Sequence, residues 1–351
     1  MGDDINGLHH VGHIVRDLGE ATERYRQLGF AVGTPAYPVL QGLSGGAAEP
    51  VGVANAHVYF PGDFVELVAL VDAGRMPGAA RPIPLRVPDD KLAGLAAAVR
   101  ATAANVVTFL DRFQGVHIVI ADTSDIDGLA ARLTAAGVGH GGVHAVQRPV
   151  ETPTGITMEP ARYVEISAPG LPGRVPEGRI GFAQNAPVAV PDRHPTHPNG
   201  ATGLIGCVLC VDDHALPDLT HRYSTYFGQP WEDFRQTAGA HGGTRGDLGP
   251  VVGDLGGARD DLGRAVGGLV VRFRRAGVTV VGASALDGLL PGERPAGLPG
   301  FVAYAVSVRD LDAAERLLRG NGVPVVRSGP GEVFVPADAA LGVAVVFRQE
   351  D

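Results

Sequence analysis

One pattern is written four times along this chain, and a pattern that repeats must fold alike each time and bury its apolar face against its own copies. The first copy opens with "GLHHVGHIVRDL", residues 7–18, continues in "LGEATERYRQLGF" and closes with "VANAHVYFPGDFVELVAL". His9 and His13 stand at the i, i+4 spacing by which a metalloprotease helix presents two zinc ligands, yet Gly12 weakens a helix there and the residues alternate in character. The stretch therefore reads as a strand, with His10 on one face and His9 and His13 on the other. In the next segment Leu18, Ala21, Tyr25 and Leu28 form one apolar stripe and Gly29 stops the helix. Pro61-Gly62 then joins two β-rich runs as a hairpin.

The order returns at "GVHIVIADTSDIDGLAARLTAAGV", closing with "ARYVEISAPG", again at "LIGCVLCVDDHALPDLTHRYSTYFG", and once more at "FVAYAVSVRDLDAAERLLRGNGV", closing with "GEVFVPADAALGVAVVFRQ". The proline-rich, polar residues 185–199 separate the second unit from the third and read as a linker, with His194 and His197 as solvated members of it. The expected organisation is a domain over 1–184, with units at about 7–72 and 113–170 and a helical insertion at about 73–112, followed by a second domain over 200–351.

Length and composition agree with two packed domains: 351 residues, 45% of them apolar. A formal charge of −9, spread along the chain, speaks against a general nucleic-acid partner. No apolar run is read as long enough to cross a bilayer and the first residues carry no signal-peptide pattern, so the expectation is a cytoplasmic protein with no membrane partner, a monomer or a homodimer. Cys207 and Cys210 are spaced C-x-x-C, but in a strand they point to opposite faces and read as two small buried hydrophobes rather than a redox or metal pair.

A strand of the type "LHHVGHIVRDL", an amphipathic helix ended by glycine and a meander whose last strand reads "VELVAL" resemble the vicinal oxygen chelate superfamily, which includes glyoxalase I, methylmalonyl-CoA epimerase, extradiol dioxygenases and fosfomycin-resistance enzymes. The resemblance covers all four units. It implies an α+β fold: two domains, each of paired βαβββ modules forming a curved, barrel-like mixed sheet with helices outside. It further implies metal ligands at His10 and Glu66 from the first unit and at His117 and Glu165 from the second, holding one divalent ion (Ni, Zn, Co, Mn or Fe). In the second domain the corresponding positions hold Gly206, Ala303 and Val346, which cannot ligate.

A single buried carboxylate amid apolar neighbours, as in "FVELVAL" and "YVEIS", needs a partner, and a cation would serve. The turn at Pro61-Gly62 places Phe60 opposite Asp63 and His57 opposite Glu66. Tyr59 and Arg148 are candidate substrate contacts. Two His with two Glu resemble the glyoxalase and epimerase site, where metal polarises a carbonyl of a small-molecule substrate and Glu66 or Glu165 acts as the base. The alternatives are an Fe(II) dioxygenase of extradiol or hydroxyphenylpyruvate type, and a drug-binding protein of the bleomycin-resistance type or a thiol-transferring resistance protein.

Overall fold

The computed structural model describes residues 4–41, 48–72, 77–85, 89–152, 155–185, 195–233 and 268–350. In the first module, β1 (Ile5–Ile14) and α1 (Leu18–Gln27) lead into β2 (Ala36–Gln41), β3 (Ala48–Pro50), β4 (Val53–Phe60) and β5 (Asp63–Leu70). A short β6 (Arg81–Pro84) and the long α2 (Asp89–Arg112) make the insertion. The second module is β7 (Gly115–Thr123), α3 (Ile126–Ala135), β8 (His144–Thr152), β9 (Gly155–Glu165) and β10 (Arg179–Asn185). The third runs β11 (Ala201–Val211), α4 (Leu216–Phe227), β12 (Trp231–Asp233), β13 (Gly268–Arg272) and β14 (Gly277–Gly282), and after the single-turn α5 (Leu286–Leu289) the fourth runs β15 (Gly300–Val308), α6 (Leu311–Gly320), β16 (Val326–Gly329), β17 (Glu332–Val335) and β18 (Ala344–Gln349).

The repeat has a local cause. Asp17, Asp125 and Asp310 each cap a module helix, accepting the backbone N–H three residues on, from Glu20, Gly128 and Ala313. Each caps an apolar stripe, and Leu18, Ala21 and Tyr25 of α1 are buried as the spacing requires. Gly29 follows α1 at φ +81°, a conformation that costs glycine nothing.

Every module closes on itself by pairing its first strand parallel to its last: β1 with β5, β7 with β10, β11 with β14 and β15 with β18. First strands of neighbouring modules then pair antiparallel, β1 with β7 and β11 with β15. The result is an open mixed sheet in two halves, touching through the bridge Phe301↔Val116. The outer face packs on the helices in one large core that includes Val11, Tyr25, Leu129 and Phe347. Cys207 belongs to this core and Cys210 to the cluster on the other face, as strand alternation requires.

Three expectations are corrected. The second module's last strand is β10, so "ARYVEI" is the strand before it and Asn185 belongs to the sheet. Residues 186–194, most of the expected linker and His194 with it, lie outside the described residues. His197 is no solvated linker residue: it is buried between Phe30 and Phe60, takes the N–H of Ala31 at Nδ1 (3.0 Å) and donates from Nε2 to the carbonyl of Tyr59 (3.0 Å). Thirdly, against the expectation of no apolar run of that length, α2 is long and apolar enough, by length and composition alone, to cross a membrane. Here α2 is mostly exposed, but Val106 and Phe109 press into the inner face of the N-terminal half against Ile14, Val68 and Ile118.

Candidate active site in the N-terminal cavity

The inner face of the N-terminal half bounds a cavity of about 470 Å³. His10 and Glu66 both line it. The parallel register sets Gly12 beside Glu66 and His10 beside Phe64, so the imidazole and the carboxylate share the inner face two residues apart on adjacent strands. His10 lies flat on Phe64, ring centres 4.6 Å apart and 8° from parallel.

His57 pairs with Glu66 and Phe60 with Asp63, as the turn at Pro61-Gly62 requires. His57 Nε2 stands 3.8 Å from the Glu66 carboxylate, and Asn55 donates to that same oxygen at 3.1 Å. Tyr59 also lines the cavity, stacked on His57 at 5.1 Å. Arg148 lies on β8 opposite Glu159; its side chain lies outside the described part of the structure.

The second module's expected ligands are placed otherwise. Counting back seven residues from the capping aspartates gives equivalent positions: His10 in the first module, Ile118 in the second and Ala303 in the fourth. His117 is one residue out of phase, and its counterpart is His9. Both fall at breaks in the β1–β7 register, the steps from Leu8 to His10 and from Val116 to Ile118, where each is the extra residue of a bulge.

The ring of His117 is taken up by the end of α2. It stacks on Phe109 at 4.9 Å and 9°, packs against Phe113 and donates from Nε2 to the carbonyl of Phe113 at 2.9 Å. Burial pushes its pKa down to about 4, with the Phe113 carbonyl opposing and Arg112 adding to the shift. Ile118 and Ile120 line the cavity in its stead.

Glu165 does reach the cavity, from β9 rather than from the module's last strand. The position on β10 that corresponds to Glu66 is Gly181, paired with Ile120 as Glu66 is with Gly12. A Cβ there would stand 2.6 Å from the carbonyl oxygen of Val164, so no longer side chain fits without backbone movement. The Glu165 carboxylate is ion-paired to Arg179, so its charge already has a partner within the protein. Burial, reinforced by the Glu165 charge, raises the pKa of neighbouring Tyr163.

Among the described residues no three His, Cys, Asp or Glu side chains converge as ligands of one ion would. Two of the four positions have donors, His10 and Glu66, and the other two have Ile118 and Gly181. The residues present do not fit the divalent ion that the sequence resemblance implied.

In the C-terminal half the equivalent space is filled. Ala303 and Val346 are buried with Leu286 and Leu290, which the α5 segment lays across the inner face. Gly206 on β11 backs the carbonyl of Gly277, where a Cβ would stand 3.0 Å away.

Other residues of the site were not foreseen. The bulge brings His9 to the cavity, whereas strict alternation sends it to the opposite face; no periodicity shows a bulge. Asn185 and Arg179 come from β10, which lay beyond the expected end of the module. His13 is structural, as expected: it is buried, bonded to the Tyr25 hydroxyl at 2.7 Å and to the Leu341 carbonyl at 2.9 Å, with burial pushing its pKa down to about 4.

A model of the glyoxalase-like domain matches residues 8–227, more than half of the chain, and the chain belongs to that family. Fold and family together place it in the vicinal oxygen chelate superfamily. No curated protein matches it in sequence. Among solved structures it is similar to a hypothetical protein from Staphylococcus aureus (TM-score 0.55, 8% identity, 98% of this chain and 99% of that one). A variant of 4-hydroxymandelate synthase from Streptomyces coelicolor superposes with a TM-score of 0.51 at 12% identity, over 99% of this chain and 93% of that one. A Mn(II)-bound glyoxalase from Novosphingobium aromaticivorans gives 0.49 at 12% identity, over 99% and 83%.

Proposed function

We propose that this chain is a glyoxalase-like enzyme of reduced ligand set, which moves a proton at the carbon beside a carbonyl of a small polar substrate held in the N-terminal cavity. One observation carries the reading. Glu66 at the cavity wall accepts a hydrogen bond from Asn55, with His57 Nε2 3.8 Å from the same oxygen and His10 two residues away across the ladder. A carboxylate oriented by a hydrogen bond can act as a general base, and imidazoles beside it can supply the donors a developing enolate oxygen requires. Glu66 takes the proton from carbon, the electron pair passes to the carbonyl oxygen, and the proton returns to the same carbon, or to the neighbouring one when a hydroxyl on the first carbon passes its proton to the enolate oxygen and becomes the new carbonyl. Glu165, neutralised by Arg179, orients the substrate in this reading rather than acting as a second base.

The reading departs from metal-assisted chemistry because of Ile118 and Gly181, side chains that offer no donor. A dioxygenase with iron in the C-terminal half is disfavoured by the apolar cluster around Ala303 and Val346. Ile118 and Gly181 also favour a second reading, capture of a small molecule without turnover.

The test is solvent exchange. Purified protein, with and without chelator, is incubated in deuterium oxide with α-hydroxycarbonyl compounds, hemithioacetals and 2-oxo acids. Deuterium entering beside a carbonyl at a rate lost in Glu66→Gln and indifferent to chelator supports the proposal. Saturable binding with no exchange supports capture instead.

A further inference from the structure

Two imidazole nitrogens face each other across the bulge in β1. His9 Nδ1 stands 2.8 Å from His10 Nδ1, with the rings at 68°, and Asn185 Nδ2 stands 2.8 Å from His9 Nε2. Only one proton fits between the two Nδ1 atoms, so the neutral tautomer of one ring decides that of the other.

The amide decides the direction. With Nδ2 on His9, Asn185 leaves its Oδ1 as a buried acceptor without a hydrogen-bond partner among the described residues. The reversed amide would leave two N–H donors in that place, and orphaned buried N–H groups are the rarer and costlier case. Nδ2 therefore donates, and His9 Nε2 accepts. The proton of His9 then sits on Nδ1 and is donated to His10 Nδ1, which leaves the proton of His10 on Nε2.

We infer that Asn185 and His9 are positioning residues for His10: the chain Asn185–His9–His10 holds His10 in the Nε2–H tautomer, as a donor to a substrate oxygen. This rests on the proposed function, in which an enolate oxygen needs a donor near Glu66. The stacking of His10 on Phe64 fixes the plane of the ring, so the N–H has one direction as well as one tautomer. A nitrogen carrying a proton is of no use to a metal and is what a carbonyl oxygen requires. The cavity would thus select ligands with a carbonyl or enolate oxygen over amines of the same size.

Long-range proton–nitrogen correlation spectra of histidine-labelled protein read tautomers directly, without substrate. Signals of His9 and His10, among 12 histidines, are assigned by their loss in His9→Gln and His10→Gln. The expected result is a protonated Nδ1 in His9 and a protonated Nε2 in His10. In Asn185→Asp the carboxylate must accept from His9 Nε2, the chain reverses, and the proton of His10 moves to Nδ1. In Asn185→Leu the direction is lost and His10 becomes a mixture of both tautomers. His10 protonated at Nδ1 in the wild-type protein, or a His10 pattern unchanged by either replacement of Asn185, overturns the inference. Because no turnover is measured, absence of exchange activity would sink the proposed function and leave this result standing.

Discussion

Replacing His117 by methionine should flatten the acid side of the stability curve and leave the cavity untouched. Burial holds the pKa of His117 at about 4, against 6.5 when free. Between those values the unfolded chain binds a proton that the fold refuses, so stability falls as pH falls, by about 1.4 kcal/mol per pH unit. His13 has the same depression and contributes the same slope. Asp63 has the opposite sign: burial pushes it up to about 7, so between 3.8 and 7 the fold holds a proton that the unfolded chain releases, and that contribution shrinks as pH rises. Two groups against one make the summed contribution of these three a loss of about 1.4 kcal/mol per unit from pH 6.5 towards 4. In His117→Met one stands against one, so as pH falls through that window the variant should gain about 1.4 kcal/mol per unit on the wild-type protein, closing its deficit and then overtaking it. Surface carboxylates cancel in the difference. Above pH 7 the variant should be lower by about 1 kcal/mol, for the lost bond to the Phe113 carbonyl. Urea denaturation followed by circular dichroism at half-unit steps measures this. Parallel curves for the two proteins would mean that His117 titrates as an open imidazole, and the placement under α2 would be refuted.

Three further outcomes follow from the same geometry. Glu66→Gln, nearly isosteric, should lower proton exchange by about 100-fold or more while ligand binding, read by calorimetry, stays within a few-fold. Phe109→Ala removes a buried ring stacked on His117 and packed on Ile14 and Val68, and should cost about 3–5 kcal/mol in denaturant unfolding. Ile118→His restores a donor at the position equivalent to His10, and should raise affinity for Zn²⁺ at least about tenfold in competition with a chromophoric chelator, since a third ligand completes the open site such an ion prefers.

The four-module architecture was legible because its determinants are local. Apolar helix stripes, glycine stops and period-two strands each announce themselves within a dozen residues, and the pairing of His57 with Glu66 followed from the turn alone. What was not legible depends on events between strands. A bulge changes which face a residue takes without changing the sequence pattern around it, so alternation put His9 on the face away from the cavity it lines, and His117, a ligand by resemblance, turns to α2 instead. Carboxylates amid apolar residues were read as marking last strands, which Glu66 does and Glu165 does not. β10, "RIGFAQN", has no acidic residue and so drew no notice, yet it supplies Arg179 and Asn185 to the cavity. The role of the insertion was equally hidden: nothing in an alanine-rich helix says that its Val106 and Phe109 will pack on the inner face of the sheet.

The central claim is that the N-terminal cavity retains the donors His10 and Glu66 while the other two positions, Ile118 and Gly181, have none. Elemental analysis tests it most directly. Purified full-length protein is incubated with excess Zn²⁺, Ni²⁺, Mn²⁺ or Fe²⁺ (the last under anaerobic conditions), passed through a desalting column and measured beside His117→Ala. Both proteins should emerge with the same substoichiometric trace of metal. One equivalent of metal held by the wild-type protein and lost from His117→Ala would contradict the account and restore the four-ligand centre.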